Sequence, residues 1–451
     1  MNFSRGVWVG MTVGFGWLPM AGAWTGNGTA PGTDGYSVDT NQRNDVLSFW
    51  QSVYKASEGY QSRVGWTGSY TTGAAGTVAA TFSDDVERRV NFIRALCKVP
   101  AVVQLNTSST IAYTSGDAAA PPLTTLKSTA AQASAMLIAR NGATAMNHSP
   151  ASSLTGWTAI GWNGNHYGDL ANGFFGPGAI DAYAREDVSG VSSWNTAVGH
   201  RRWMLKVQST NFATGDTPGL KTEDSGGPKA PSNTLYIAQI SGETDTTAAA
   251  RYVPYPAAGY FPAPLNSPYW SLSYPGATFS ALTKVQMYDA NDVEIAPAAN
   301  WGVFSITSGY GDNSIVWQVP TAAAVKAVNT DTTFKVKVSN FDTPTSHIDS
   351  YTYSVTLMNP EKLTDSIPVS GSATPRATGS TTYSFSRPDY SDAVEVGCFK
   401  LQPATWTGRC GGLPHTDGHR PHHQWLGCSV DLIDLPQYGL EGIPAHPAHF
   451  V

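Results

Sequence analysis

Charge is scarce in this chain. Only 13% of its 451 residues are Asp, Glu, Lys or Arg, and the formal net charge is −6. Neither sign forms a long run, and the basic residues make no patch interleaved with aromatics. That excludes the electrostatic footprint of a nucleic-acid partner. Cysteine is equally sparse. There are four, Cys97, Cys398, Cys410 and Cys428, three of them from Cys398 onward, a spacing that gives no balanced disulfide framework. Cys97 falls on an expected helix and reads as a small buried hydrophobe. No segment approaches the roughly 20 apolar residues that cross a bilayer, so no stable membrane span is expected. Gly-x-Ser-x-Gly, His-Glu-x-x-His, a Walker loop and an EF-hand loop are all missing, which removes the easily recognised enzyme and calcium-site classes.

What is present suffices for packed cores. Hydrophobic residues make up 41% of the chain, with 14 Trp and 20 Tyr, and the length suits two or three domains. Arg5, the apolar run Val7 to Leu18 and the small residues Ala21-Gly22-Ala23 read as a secretory signal peptide over 1–23. An extracellular, secreted protein is therefore expected. Residues 24–81 form an N-terminal extension with a short helix at Asp45 to Tyr54, where Val46, Phe49, Trp50 and Val53 recur at helical spacing.

The strongest helical pattern follows. Phe82, Val86, Val90, Ile93 and Cys97 make an apolar stripe, Ser83 stands as its cap, and Asp84, Glu87 and Arg88 are expected to face solvent. A second helix, about Leu126 to Ile138, is rich in alanine and suited to close packing. A third starts near Pro177, a residue fitted to a first helical turn, and runs to about Glu186. From Ser267 the period changes to two. Strands are expected at Trp270–Tyr274, Thr283–Tyr288, Val303–Ile306, Ile315–Val319, Thr333–Val338 and Tyr351–Leu357, which suggests an immunoglobulin-like β-sandwich over 262–360. Residues 361–451 form an irregular tail, Ser/Thr-rich and then Pro/His-rich, and read as disordered. Strand-like text at Tyr383–Phe385 and Ala393–Val396 begins and is abandoned, as a shifted reading frame would produce.

Chemistry-bearing residues concentrate between residues 82 and 210. In order they are Asn91-Phe92-Ile93-Arg94, Met146-Asn147-His148, Tyr167-Gly168-Asp169, Tyr183-Ala184-Arg185-Glu186 and Gly199-His200-Arg201-Arg202-Trp203. This series resembles the CAP superfamily (cysteine-rich secretory proteins, antigen 5 and pathogenesis-related proteins; the SCP domain), in particular its bacterial members. It covers about a third of the chain, and Gly-His-Arg-Arg-Trp is its most specific string. The resemblance implies an α+β fold: a CAP-like α-β-α sandwich over 82–250, ahead of the β-sandwich. It also implies that His148, Asp169, Glu186 and His200 converge in a cleft. Two departures stand out. Asp169 replaces the usual glutamate and lacks the asparagine that normally follows, and Asp187, beside Glu186, is an alternative inward acid. The family's usual disulfides are also missing.

Imidazoles with adjacent carboxylates are metal ligands or acid–base pairs. The set is therefore expected to hold zinc or another divalent metal, or else a small ligand. Arg201 and Arg202 are expected in surface salt bridges, and His166 in a loop. The tail run Cys410, His415, His419, His422, His423 and Cys428 matches no zinc module. The leading expectation is a non-catalytic extracellular binding protein whose partner is a metal ion, small molecule, lipid or protein. One alternative is a metal-assisted secreted hydrolase using Glu186 and His200. Another is an adhesion or glycan-binding protein acting through the β-domain, suggested by Trp270, Trp301 and Trp317, which are themselves expected first as core residues.

Overall fold

The computed structural model describes residues 36–104, 111–113, 123–187, 196–219, 230–238, 244–295, 303–306, 311–361 and 449–450. The expected signal peptide, Trp301, Cys398, Cys410, Cys428 and nearly all of the expected tail lie outside the described residues.

The fold is α+β. Six α-helices are described: α1 (Arg43–Phe49), α2 (Ala80–Leu96), α3 (Lys127–Asn141), α4 (Ala159–Tyr167), α5 (Gly176–Arg185) and α6 (Gly199–Met204). A π-helical turn, Trp50–Tyr54, continues α1. The strands of the N-terminal part are β1 (Val103–Gln104), β2 (Ile111–Tyr113), β3 (Leu123–Thr125), β4 (Gly168–Asn172), β5 (Asn211–Thr217) and β6 (Ser232–Tyr236). β2 and β3 form a separate hairpin. The other four, with the two-residue strand β15 (His449–Phe450), make a sheet in the order β1-β5-β6-β4-β15. It is antiparallel except for the β1–β5 pair.

Alternation along the strands divides this sheet into two faces. Leu170 shares a cluster with Leu137 and Ile138 of α3, and Tyr236 and Ala213 share one with Ala130 and Ala131. Their neighbours Ala171, Leu235 and Phe212 join the opposite core with Phe92, Ile180 and Tyr183 of α2 and α5. Helices thus cover both faces. The alanines of α3 are where close approach demands them: a Cβ on Gly215 of β5 would collide with the Ala131 backbone, and one on Gly164 of α4 with the Ala130 carbonyl.

Helix α2 departs from expectation. It starts before Ser83, at Ala80, with no side-chain cap. Glu87 and Arg88 are buried rather than solvent-facing, because α2 is enclosed by neighbouring elements on more than its apolar stripe. Burial pushes the Glu87 carboxyl up to about 7, although the Gln104 backbone N–H donates to it at 3.3 Å. The helix also carries the buried Arg89. Its guanidinium donates to Asp181 of α5 (2.5 Å), to Glu58 (2.5 Å) and to Ser57 (3.0 Å), and stacks on the Tyr54 ring at 3.6 Å. The Tyr54 hydroxyl donates to the same Asp181 oxygen at 2.8 Å. Arg89 ties the N-terminal segment to α2 and α5.

The C-terminal part is two facing sheets. One has the order β10 (Lys284–Tyr288), β13 (Thr332–Asp342), β14 (His347–Met358), β8 (Gly259–Pro262). The other has β11 (Val303–Ile306), β12 (Ser314–Gln318), β9 (Tyr269–Ser273), β7 (Val253–Tyr255). All pairs are antiparallel except β14–β8. Trp270 and Trp317 sit opposite each other on β9 and β12, and Trp270 meets Phe334 of the other sheet edge-on at 5.9 Å. Both tryptophans are fully buried. This agrees with the expectation of core residues at these two positions and leaves neither as a sugar-stacking surface: inward-facing alternation puts them in the core.

The two parts are packed as one body. A continuous apolar core joins Val46 and Phe92 to Phe261 and Trp270. The N-terminal segment crosses to the C-terminal sheets. The Tyr260 N–H donates to the Thr40 carbonyl at 2.7 Å, and Arg43 pairs with Asp331 at 2.7 Å. No helix among the described residues is long and apolar enough to cross a membrane.

Replacing Arg89 with alanine strands the Asp181 carboxylate in the interior. Such a loss costs about 3–5 kcal/mol, and urea denaturation of the full chain measures it. A loss below about 1 kcal/mol, the range of an exposed pair, would show that the network does not hold these elements together.

Candidate functional site

Helix α5 begins with Pro177 in its first turn and ends on Glu186, whose backbone is left-handed at φ 50°. Helix α6 is entered through Val198, also left-handed at φ 42°. A β-branched residue in this conformation is rare, and each such position stores about 1–3 kcal/mol of strain. With the chain leaving at Glu186 and re-entering a helix through Val198, Glu186 and His200 come together. The His200 Nδ1–H donates to Glu186 Oε2 at 2.9 Å, and the Arg201 backbone N–H donates to Glu186 Oε1 at 3.1 Å. Both carboxylate oxygens are thereby engaged, and the imidazole tautomer is set by its acid. The Tyr183 ring stacks on His200, centroids 4.9 Å apart. The Tyr183 hydroxyl in turn donates to the Asp169 carbonyl (3.0 Å) and to Asn233 Oδ1 (2.9 Å).

Asp169 lies on β4, with its side chain on the face that carries Ala171, toward α5. Its carboxyl is buried and its Oδ2 has no hydrogen-bond partner. Burial raises its pKa well above the usual carboxylate range. The Glu186 charge adds to that effect, while His200 opposes it more strongly than Glu186 assists. The shift is toward the protonated form, in which a carboxyl can donate a hydrogen bond. His148 is half-buried on the turn after α3. Its Nδ1–H donates to the Asn165 carbonyl at 2.7 Å, and burial followed by the proximity of His200 and His166 lowers its pKa despite that bond. Asn165 pins the turn: its amide donates to the Ala145 and Asn147 carbonyls at 2.7 and 3.0 Å.

The structure thus brings His200 within electrostatic reach of His148 and Asp169 and into direct contact with Glu186. Asp187 is not the inward acid. It pairs with Arg185 at 3.4 Å and with Lys326. His166 lies within α4 rather than a loop, donates to the His148 carbonyl at 2.8 Å and stacks on Trp162 at 4.5 Å.

The expectation for Arg201 and Arg202 is overturned: both are buried. The Arg201 guanidinium donates to the Ala184 (2.6 Å) and Arg185 (3.1 Å) carbonyls at the end of α5. It also donates to the Tyr269 carbonyl (2.7 Å), Ser271 Oγ (3.2 Å) and Ser267 Oγ (2.8 Å) of the C-terminal part, and lies over the Tyr255 ring at 4.2 Å. Carbonyls at a helix end have no intrahelical partner, and here a cation from the next helix supplies one. Arg202 donates to the Asp312 carbonyl at 3.0 Å. Arg94, of the Asn-x-x-Arg pair, also serves backbone: it donates to Pro100, Met204 and Lys206 carbonyls at 2.6, 2.5 and 3.2 Å, and burial pulls its pKa down to about 9. Its neighbour Asn91 brackets Val102 with two bonds, at 2.8 and 2.9 Å. Sequence reasoning missed these roles, since carbonyl partners leave no signature in side-chain text.

A divalent metal fits this arrangement poorly. Among the described residues, no group of three or more His, Cys, Asp or Glu side chains is arranged to hold one. Zinc sites take at least three protein ligands. Here both Glu186 oxygens are committed within the protein.

No protein-family model matches the chain, and no curated protein matches it either.

Two outcomes follow from this geometry. Arg201→Lys keeps the charge but not the fork that spans five acceptors, and a loss of about 2–3 kcal/mol in urea denaturation is expected. Asp169 has a raised folded pKa, so its ionisation penalises folding as pH climbs above 3.8, the unfolded value. Stability of Asp169→Asn relative to the parent should rise with pH above that value and level off past the folded pKa. Parallel stability–pH curves for the two proteins would show that Asp169 titrates normally.

Proposed function

We propose that the chain is a secreted CAP-superfamily protein that binds a small organic ligand without turning it over, at the His148, Asp169, Glu186 and His200 cluster. In this reading the helix–sheet–helix layers are a CAP-type sandwich, and the two facing sheets that follow are an immunoglobulin-like one. Secretion rests on the apolar segment Val7 to Leu18 with the small residues after it. The observation that carries the binding role is the Glu186–His200 pair, with left-handed backbone at Glu186 and at Val198, beside the buried carboxyl of Asp169. Strain of this kind is commonly kept at functional sites. A fixed imidazole and a carboxylic O–H are complementary to a hydroxyl- or carbonyl-bearing molecule. They suit a metal ion less well, for want of a third protein donor.

A hydrolytic reading has one observation in its favour. A carboxylate that orients a histidine is the arrangement of a general base. In that case His200 is the base and Glu186 its orienter, since both Glu186 oxygens are already engaged.

Native mass spectrometry of the full secreted chain tests the binding reading, with zinc titration calorimetry run alongside. The expected result is a retained organic mass that is absent in His200→Ala, with no tight one-to-one zinc uptake. A folded parent protein carrying no such mass would remove the binding role. Tight zinc binding lost in the His148→Ala/His200→Ala double variant would replace it with a metal site.

A further inference from the structure

The His200 cluster gathers at one end of the N-terminal sheet. Asp169 lies on β4, the last strand of that sheet before the two residues of β15. His148 is held by Asn165 of α4, which packs with α3 on one face. Glu186 and His200 belong to α5 and α6, and α5 covers the other face. The cluster thus draws on both faces of the sheet at its β4 edge.

That edge already holds a peptide strand. β4 pairs with β6 along all of Gly168–Asn172. On its other side only Asn172 and Ala171 are paired, antiparallel, with His449 and Phe450. Among the described residues no other strand lies against this edge. The direction of the pairing leads into the cluster. His449 stands opposite Asn172 and Phe450 opposite Ala171, so a strand continued in the same register passes Leu170 and comes opposite Asp169. Two buried side-chain oxygens on this stretch have no hydrogen-bond partner, Asn172 Oδ1 and Asp169 Oδ2. They stand at the two ends of the path that a longer strand would follow.

Strand addition is made by main-chain groups, so it selects an extended backbone and tolerates many side chains. A two-residue ladder makes few hydrogen bonds, and the long stretch of chain between Glu361 and His449 lends it little effective concentration. A peptide that fills the edge from Asn172 to Asp169 makes more of these bonds. It also brings a backbone amide, with its carbonyl, to the imidazole and carboxyl groups of the cluster. We propose that the ligand of the cluster is an extended peptide, added to β4 as an antiparallel strand that runs from Asn172 past Asp169. His449–Phe450 occupy the outer part of that path in cis, and an incoming peptide displaces them. This names the ligand class of the site, and it rests on the reading of His148, Asp169, Glu186 and His200 as a binding site.

The test uses the full chain carrying His449→Pro and Phe450→Pro together, which removes two backbone N–H groups from the cis strand. Two fluorescein-labelled peptides are the probes: residues 445–451, and the same sequence extended by two alanines so that its register passes Asp169. Fluorescence anisotropy measures binding, and thermal melts check the folding of every variant. Both peptides should bind the double variant one-to-one, the extended one about tenfold more tightly. The parent chain should bind each about tenfold more weakly than the double variant does, since its own strand competes. Adding Asp169→Ala should remove the advantage of the extended peptide. Backbone N-methylation of the probes at the residues matching His449 and Phe450 should abolish binding. Should the Asp169→Ala protein not fold, probe length and N-methylation decide. A folded double variant that binds neither peptide would overturn the proposal, and so would binding indifferent to N-methylation or to probe length. If that happens while the retained organic mass lost in His200→Ala is still found, the binding site stands and only the peptide assignment falls.

Discussion

The buried guanidinium of Arg201 is the contact on which the rest of this molecule turns. Its five hydrogen bonds close the end of α5, hold α6 against it and fasten both to β9 and the turn before it. A cation removed from water is costly unless its donors are met. Here they are met by carbonyls and hydroxyls rather than a carboxylate, and the guanidinium pKa is drawn below its usual range by burial. The same residue's backbone N–H fixes one oxygen of Glu186. Orientation of the His200–Glu186 pair, through the backbone, and docking of the C-terminal sheets, through the side chain, therefore meet in one residue.

Around that contact the protein relies on cations facing backbone. Arg94 and Arg202 repeat the pattern at the loops after α2 and before β12, while Arg89 uses carboxylates. In a chain with so little charge, buried arginines have been placed where helix ends and loops would otherwise leave carbonyls unmet. The acids contribute differently. Burial pushes Glu87 and Asp169 toward their neutral forms, raising both above the usual carboxylate range.

Much of this was legible in the sequence where periodicity was strong. The stripe Phe82 to Cys97, the alanines of the next helix, Pro177 and the period-two segments from Trp270 to Leu357 each correspond to an element within a few residues. The short polar strands β4, β5 and β6 were not legible, since Gly168-Asp169 and Thr214-Gly215-Asp216 carry no strand pattern. Burial comes to them from helices on both faces. Of the candidate site, the residue identities were readable but their arrangement was not. The choice of Glu186 over Asp187 depends on a left-handed helix end that a glutamate does not announce. The burial of Arg201, Arg202, Glu87 and Arg88 depends on partners distant in the chain.

The bridging of both parts by the first described segment bears on the order in which the molecule can assemble during synthesis. Arg43, Gln51 and Trp50 meet partners 288, 309 and 311 residues further along, at Asp331, Pro360 and Glu361. A ribosome delivers the segment about 300 residues ahead of its counterparts. Vectorial growth therefore cannot finish the N-terminal half before the final strand of the sheets has emerged. Until then α1 has its apolar side only partly covered, and the nascent protein must be kept from other chains for the whole of that interval.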